Sequence, residues 1–234
     1  MKTTADFSRK EILQLIASSS VQLNFSRAIL SVQDDSENLN EDLLFDLKLN
    51  LTGINLSGVD LSNLDLDNIK FIKADFRNAN LHGAQMNSSA LADADFSNAD
   101  LRELMCSNSN FYNTIFVGSN LEDACMEDCW MLCADMSGVN LTNASLQEST
   151  MSGVNLSSAN LTGARLKNVQ MNNANLGGSI LIEANLSGAD FTGADLTGAD
   201  FTGANLEGAD FTNAIMTDAI LIEANKKGAI GLSQ

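Results

Sequence analysis

The residues of this chain with the most reactive side chains are one histidine and four cysteines, and their spacing decides what they can do. His82 directly follows Leu81, at a position expected to face solvent. A hydrolase triad or a histidine-based metal site needs further ligands or a positioned nucleophile, and the sequence supplies none around His82. The sequence therefore predicts a solvated histidine and no catalytic residue.

Three of the cysteines, Cys125, Cys129 and Cys133, follow one another at intervals of four, which on a helix would give a ligand face. On a chain that turns every five residues, Cys125 points outward, Cys129 inward and Cys133 lies at a corner. These thiols then do not converge, so no metal site is predicted. Cys106 and Cys129 are expected to be small core residues. The absence of paired spacing favours free thiols in a reducing cytoplasm.

The element that positions these residues is a five-residue period. From Leu51 to Leu221, every fifth residue is Leu, Phe or Met, and Cys106 is the one exception in 35 positions. This period fits neither a helix nor a strand. It fits a chain that turns a corner every five residues, so that four corners close a square coil of 20 residues and successive coils stack into a solenoid.

The neighbouring positions support this interpretation. Two residues before each bulky residue, 27 of 35 positions are Ala, Ser, Thr or Cys, and two residues after it 27 of 35 are Gly, Asn or Asp. One large and one small side chain fill the inside of a narrow tube at normal density. Gly, Asn and Asp suit the corner, where a positive φ can be required. Residues 20 apart are expected to stack, as in the series Phe76, Phe96 and Phe116.

The stretch from Ala189 to Gly203 reads ADFTG-ADLTG-ADFTG and resembles the A-(D/N)-L-x-x signature of the pentapeptide-repeat proteins. The resemblance covers about 175 residues. It implies an all-β fold, a right-handed quadrilateral β-helix solenoid, and the handedness comes from the resemblance alone.

Three segments are predicted along the chain. Residues 1–48 form an N-terminal cap with a short α-helix over Ser8 to Ser19, a first partial coil and an acidic loop. Residues 49–225 form the β-helix, and residues 226–234 a C-terminal cap or tail. The repeat pattern in the sequence fails at Lys226.

The formal net charge is −17, and residues 51–225 carry 22 acidic and 6 basic side chains. Such a surface repels nucleic acid and anionic membranes, so neither is an expected direct partner. It could attract a basic protein, including one that normally binds DNA, or it could merely keep an extended repeat soluble. No apolar run is long enough to cross a bilayer.

A group of apolar side chains occupies outward positions near the middle of the rod, where polar residues are expected. We predict a partner-binding patch from these residues: Ile72, Met105, Tyr112, Ile115, Val117, Trp130 and Leu132. Exposed aromatic and aliphatic side chains on a rigid acidic rod are typical of a binding surface. The alternative is local decay of the repeat, with large side chains shielding a widened coil.

A second apolar group lies nearer the C-terminal end and is predicted to support self-association: Ile180, Ile182, Ile220 and Ile222. The chain is accordingly expected to be a monomer or a weak homodimer.

These observations predict a non-enzymatic scaffold for protein–protein interaction that needs no cofactor or metal. The alternative comes from the resemblance, because some pentapeptide-repeat proteins mimic duplex DNA and bind DNA gyrase. An enzyme is the least favoured class, since nothing in the sequence resembles a cleft with convergent polar groups.

Overall fold

The computed structural model describes residues 50–232. Within this range the chain forms no α-helix and no extended strand, and it consists of repeated turns joined by isolated parallel bridges. The bridges fall on every fifth residue from Asn50 to Ile230, and each joins residues 20 apart in sequence. The predicted cap helix, first partial coil and acidic loop lie outside the described residues.

The corner residue, two positions after each bulky residue, sets the bend. It has a positive φ throughout residues 53–228, for example 56° at Asn63 and 69° at Gly193. Glycine, asparagine and aspartate reach this left-handed region at the lowest energetic cost, which explains why they dominate the position. Lys73, Glu103 and Cys133 adopt it as well, with φ of 59°, 56° and 58°.

Backbone hydrogen bonds hold each coil to the next. The N–H of Leu141 donates to the carbonyl of Asn160 at 2.7 Å, and the N–H of Asn160 donates to the carbonyl of Val139 at 2.9 Å. This pattern repeats along the described coils and uses N–H groups at the bulky and bridge positions. The absence of proline from the chain suits a backbone of this kind.

The core is a continuous column of side chains along the axis. Leu141, Leu161 and Leu181 lie one above the next and are all 0% exposed. The rings of Phe76 and Phe96 stack with centroids 4.6 Å apart, and those of Phe96 and Phe116 with centroids 5.2 Å apart. The inward positions and the stacking of residues 20 apart, both predicted from the sequence, are confirmed.

The four sides of the coil are named here by their bridge residues, and each face includes the bulky residue and the corner that follow. Face A contains Asn50, Lys70, Ala90 and so on to Ile230; face B contains Asn55 to Ile215; face C contains Asp60 to Ile220; face D contains Asp65 to Asn225. Because the chain visits the faces in the order A, B, C and D, face A lies opposite face C, and face B lies opposite face D.

The turn-and-bridge pattern continues past the point where the sequence pattern fails. Lys226 occupies a bulky position and is exposed, yet Gly228 still takes the corner φ at 71° and Ile230 still bridges to Asp210. Ala229 and Leu232 pack against the core. These residues belong to the segment predicted as a C-terminal cap or tail, whose role stays a prediction.

Candidate partner-binding surface

Face A carries a continuous apolar strip along the rod axis. Ile72, Tyr112 and Leu132 lie in one outward column at intervals of 20 residues, and Ala92 fills the position between Ile72 and Tyr112. Trp130 lies beside this column, in the bridge position between Asn110 and Thr150. Tyr112 is 50% exposed and Trp130 is 51% exposed, so both rings present a large area to solvent. We call these residues, together with Ala90, the face A strip.

The rest of the predicted patch lies on two other faces. Met105 is on face D, where it bridges to Cys125, whereas Ile115 and Val117 are on face B. All three are exposed. Because faces B and D point in opposite directions, a flat partner lying on face A cannot contact both. The structure therefore brings together Ile72, Tyr112, Trp130 and Leu132, and it separates Met105 from Ile115 and Val117.

The turns directly beneath the strip differ from those at other corners. Ordinarily the N–H of the small inward residue donates to the carbonyl of the bulky residue three positions earlier, as Ala74 does to Phe71 at 2.9 Å. Between residues 66 and 129, this bond is missing at four successive corners where face D passes into face A. A hydroxyl or thiol from the next coil occupies the gap.

Ser109 shows how the inserted group works. Its hydroxyl donates to the carbonyl of Met86 at 2.8 Å and accepts from the N–H of Ser89 at 3.0 Å. Ser149 does the same for the carbonyl of Met126 and the N–H of Cys129, at 2.8 and 3.0 Å. These two opened turns therefore keep both of their backbone groups hydrogen-bonded inside the core.

Cys129 is the imperfect member of this inner series. Its thiol donates to the carbonyl of Cys106 at 3.0 Å. Within the described coils, however, no oxygen accepts a hydrogen bond from the N–H of Ser109. At this turn the Cys129 sulfur takes the place that a serine hydroxyl has at the neighbouring turns. A thiol is a weaker acceptor than a hydroxyl, so this turn is held less firmly than its neighbours. The side chain that follows Cys129 in sequence is Trp130 of the strip.

The core beneath the strip does not need large outward side chains to exclude water. Phe111 and Met131, which lie under the strip, are 0% exposed. Met151 and Met171 on the same face are also 0% exposed, although their outward neighbours are polar: Thr150, Ser152, Gln170 and Asn172. Core packing therefore does not require large apolar side chains on the outside of face A, which argues against the shielding explanation.

The charges are distributed unequally over the four faces. Face C carries eight carboxylates and one basic residue, a net charge of −7 (1 − 8): Asp60, Asp100, Glu103, Glu122, Asp123, Glu183, Asp200 and Glu223, with Arg102. Face A, on the opposite side, carries three carboxylates and two lysines, a net charge of −1 (2 − 3): Asp93, Asp190, Asp210, Lys70 and Lys73. The apolar strip and the strongest negative field therefore point in opposite directions.

Arg102 reduces the field of face C only locally. Its guanidinium lowers the pKa of the Asp100 carboxyl through two hydrogen bonds, Nε to Oδ1 at 2.8 Å and Nη2 to Oδ2 at 2.6 Å. On face B, Arg77 holds Asp75 in the same way and lowers the pKa of its carboxyl. Both are exposed pairs, and the remaining carboxylates of face C have no basic side chain in contact within the described residues.

The cysteines lie where the five-residue register predicts. Cys106 and Cys129 are buried, Cys125 is half-buried on face D, and Cys133 is an exposed corner residue. Burial raises the pKa of the Cys106 thiol well above its ordinary value, and the adjacent Cys129 adds to this effect. All four are free thiols, and residues 50–232 contain no group of three or more His, Cys, Asp or Glu side chains arranged to hold a metal ion.

The isoleucines predicted to support self-association lie together on face C. Ile180 and Ile220 occupy bridge positions on either side of Asp200. Ile182 and Ile222 occupy the parallel outward column on either side of Thr202. Ile182 is half-buried and the other three are exposed.

Two features of the surface do not follow from the sequence pattern. Ala90 and Ala92 complete the face A strip, but alanine does not stand out among outward residues. The repeat pattern does not distinguish the inner hydrogen-bonded series of Ser89, Ser109, Cys129 and Ser149 from the alanines that share its position. A 20-residue spacing of hydroxyl and thiol side chains at one inward position is the signal that could have revealed it.

No helix among the described residues is long and apolar enough to cross a membrane. A comparison with curated proteins finds no match to this chain. The family model described as pentapeptide repeats matches residues 54–91, 94–129, 134–173, 170–208 and 194–225, in eight copies.

Solved structures include similar chains. HetL, a pentapeptide repeat protein involved in heterocyst differentiation regulation from the cyanobacterium Nostoc sp. strain PCC 7120, is 29% identical, over 83% of this chain and 97% of HetL, with a TM-score of 0.48. Trypsin-treated QnrB1, a plasmid-mediated fluoroquinolone resistance protein, is 22% identical, over 77% of this chain and 88% of that one, with a TM-score of 0.51. At this identity the likeness to QnrB1 concerns the fold alone.

The matched repeats cover most of the chain, and the coil turns at the same five-residue intervals that the family model describes. Membership implies a right-handed quadrilateral β-helix, as expected from the family resemblance. The chain therefore belongs to the pentapeptide-repeat family.

Proposed function

We propose that this protein is a non-enzymatic interaction scaffold and that the face A strip binds a partner protein. The single observation that carries the proposal is the strip itself, in which Tyr112 and Trp130 are half-exposed on a rigid backbone. Tyrosine and tryptophan are enriched among the residues that contribute most to protein interfaces. Face A carries a net charge of −1, so its partner is expected to present an apolar and weakly charged surface.

The strip has dimensions that fit a single binding segment. Ile72 to Leu132 spans four successive coils, which at strand-like spacing gives a length of about 14 Å. A helix of about three turns or a short strand of the partner covers such a length. Hydrogen bonds between the coils hold the backbone beneath the strip before binding, so little backbone conformational entropy is lost there.

The test is a double substitution, Tyr112→Ala with Trp130→Ala, and a pull-down from the native host with the wild-type protein as reference. Because both side chains are outward, the variant is expected to keep its melting temperature and lose its partner. Gln170→Ala, an exposed bridge position on the same face, is the matched control and is expected to retain binding. A double variant that binds like wild type would remove the strip from consideration, and one that melts much earlier would favour the shielding explanation.

A second candidate function is favoured by the charge of face C. Eight carboxylates on one flat side of a rod share the negative sign of the phosphate charge of duplex DNA. This arrangement supports the alternative of a DNA mimic that binds and modulates DNA gyrase or a related topoisomerase. A gyrase supercoiling assay tests it, and unchanged supercoiling at micromolar protein would discard it.

We further propose a reducing, cytoplasmic location. Four free cysteines support this, since two of them, Cys125 and Cys133, reach the surface.

A further inference from the structure

We propose that the four isoleucines on face C form a docking site for a basic amphipathic helix, separate from the face A strip and independent of it. Ile180, Ile182, Ile220 and Ile222 are here called the isoleucine cluster. Their side chains project from the rod in two columns with the inward residues Leu181 and Leu221 between them. In each column a polar residue, Asp200 or Thr202, lies between the two isoleucines.

The centre of this cluster is negatively charged. Asp200 bridges to both Ile180 and Ile220, so its carboxylate lies between the two pairs of isoleucines. One oxygen, Oδ1, accepts from the N–H and the hydroxyl of Thr202 at 2.9 and 2.6 Å. Among the described residues, nothing donates a hydrogen bond to the other oxygen, Oδ2, which is available to a partner.

The edge of the cluster is negative as well. Glu183 and Glu223 occupy the corners that follow Ile182 and Ile222. The nearest basic residues along the chain, Lys226 and Lys227, are on face D, and Lys227 is already paired with Glu207 at 2.7 Å. Two isoleucine pairs with a carboxylate between them and two carboxylates at their edge are complementary to apolar side chains that flank a cationic one.

The same charges disfavour a second copy of this chain as the occupant. In a two-fold pairing that places the isoleucine pairs against each other, both Asp200 carboxylates lie inside the interface and close to the axis. Like charges desolvated at close range destabilise such an interface. A basic partner converts that repulsion into attraction.

The spacing of the cluster fits a helix. The two isoleucine pairs are two coils apart, about 9.6 Å at strand-like spacing. Residues seven apart on a helix are separated by about 10.5 Å along its axis and lie close to the same face. A helix with apolar residues seven apart and arginines midway between them therefore places its cations near Asp200.

The experiment uses fluorescence anisotropy with a labelled synthetic helical peptide that has leucines seven residues apart and two arginines midway. A matched peptide has glutamates in place of the arginines. We expect saturable binding of the arginine peptide to the full chain, at least about tenfold tighter than binding of the glutamate peptide. Absence of saturable binding, or equal binding of the two peptides, would overturn the proposal.

Three variants locate the site on the surface. The double variant Ile180→Ser, Ile220→Ser is expected to bind the arginine peptide at least about tenfold more weakly, because less apolar surface is buried on binding. Asp200→Asn is expected to weaken binding of the arginine peptide by about threefold to tenfold, since the central charge is lost. Ile215→Ser, which removes an isoleucine of similar exposure from face B, is the control and is expected to change binding by less than about twofold.

Unfolding is excluded by the melting temperature of each variant, and Ile222→Ser alone is the substitute if the double variant fails to fold. Sedimentation velocity of the wild-type chain measures its oligomeric state and so tests the alternative that a second copy occupies the cluster. A dimer that the Ile180→Ser, Ile220→Ser variant converts to a monomer would overturn the helix proposal in favour of a second copy. Unchanged peptide binding by all cluster variants would equally overturn it.

Discussion

Face A and face C are built on the same backbone, yet they differ both inside and outside the coil. Outside, face A carries an apolar strip with a net charge of −1, whereas face C carries eight carboxylates against one arginine. Inside, the serines that precede face A bridge opened turns, whereas the hydroxyls of Ser119 and Ser179, which precede face C, have no hydrogen-bond partner among the described residues. The five-residue period therefore fixes the inward packing of every face and leaves each face free to present different chemistry.

The largest effect on stability is expected from substitutions in the buried core, where the two faces are alike. Leu141→Asp on face C and Met131→Asp on face A each place a carboxylate in a fully buried position. Because the charge has no partner there, each substitution is expected to destabilise the coil by more than about 4 kcal/mol. Thermal unfolding followed by circular dichroism measures this. A wild-type melting temperature for either variant would refute the inward assignment of that face.

The next effect concerns what each face binds. Raising the salt concentration from 50 to 500 mM is expected to weaken binding of the arginine peptide to face C by about tenfold or more, because salt screens the attraction between exposed charges. Partner binding to the face A strip is expected to change by less than about threefold, since apolar burial dominates it. Both are titrations by anisotropy or calorimetry. Equal salt dependence on the two faces would remove the electrostatic distinction between them.

A smaller effect concerns the inner serines of face A. Cys129→Ser is expected to raise the free energy of unfolding by about 1 kcal/mol, because a hydroxyl accepts from the N–H of Ser109 while still donating to Cys106. Ala159→Ser on face C is the matched control. It is expected to give no gain, because its hydroxyl would meet the same surroundings as Ser119 and Ser179. Chemical denaturation measures both variants, and a gain at Ala159 alone would contradict the account of the opened turns.

The smallest effect is expected from Arg102→Gln. Because Arg102 lowers the pKa of the Asp100 carboxyl, the pair stabilises the fold above the carboxyl's unfolded-state pKa, and this contribution is lost as the pH falls through the folded-state pKa. The variant is expected to raise the pKa of the Asp100 carboxyl. Partner binding to the face A strip is expected to stay unchanged, and the affinity of the arginine peptide for face C is expected to rise by less than about twofold. A carboxyl NMR titration measures the shift, and an unmoved Asp100 would show that the pair is not formed in solution.

Much of the fold could be predicted because it depends on a repeating local pattern. The bulky residues from Leu51 to Leu221 set the frame, and the same frame predicts the buried Cys129 and the corner residue Cys133 that the structure contains. The face A strip could be predicted in part, since Tyr112 and Leu132 differ by 20 residues. Ala92 could not be predicted as part of the strip because its side chain is small and carries no signal on its own.

The opened turns could not be predicted from residue type alone. Ser109 and Ser119 are both buried serines at small inward positions, yet only Ser109 reaches a free carbonyl. The difference depends on how the corner before each face is bent, which is a property of the stacked backbone. The division of charge between faces A and C, by contrast, follows from the 20-residue register and the sequence once the register is fixed.

The most direct test of the account is site-specific photocrosslinking in the native host. A photoreactive amino acid replaces Tyr112 on the face A strip or, as the control, Gln170 on the same face. The account predicts a discrete crosslinked partner from position 112 and none from position 170, with the product suppressed by excess wild-type protein but not by the Trp130→Ala variant. The same product from both positions, or no product from position 112, would contradict it.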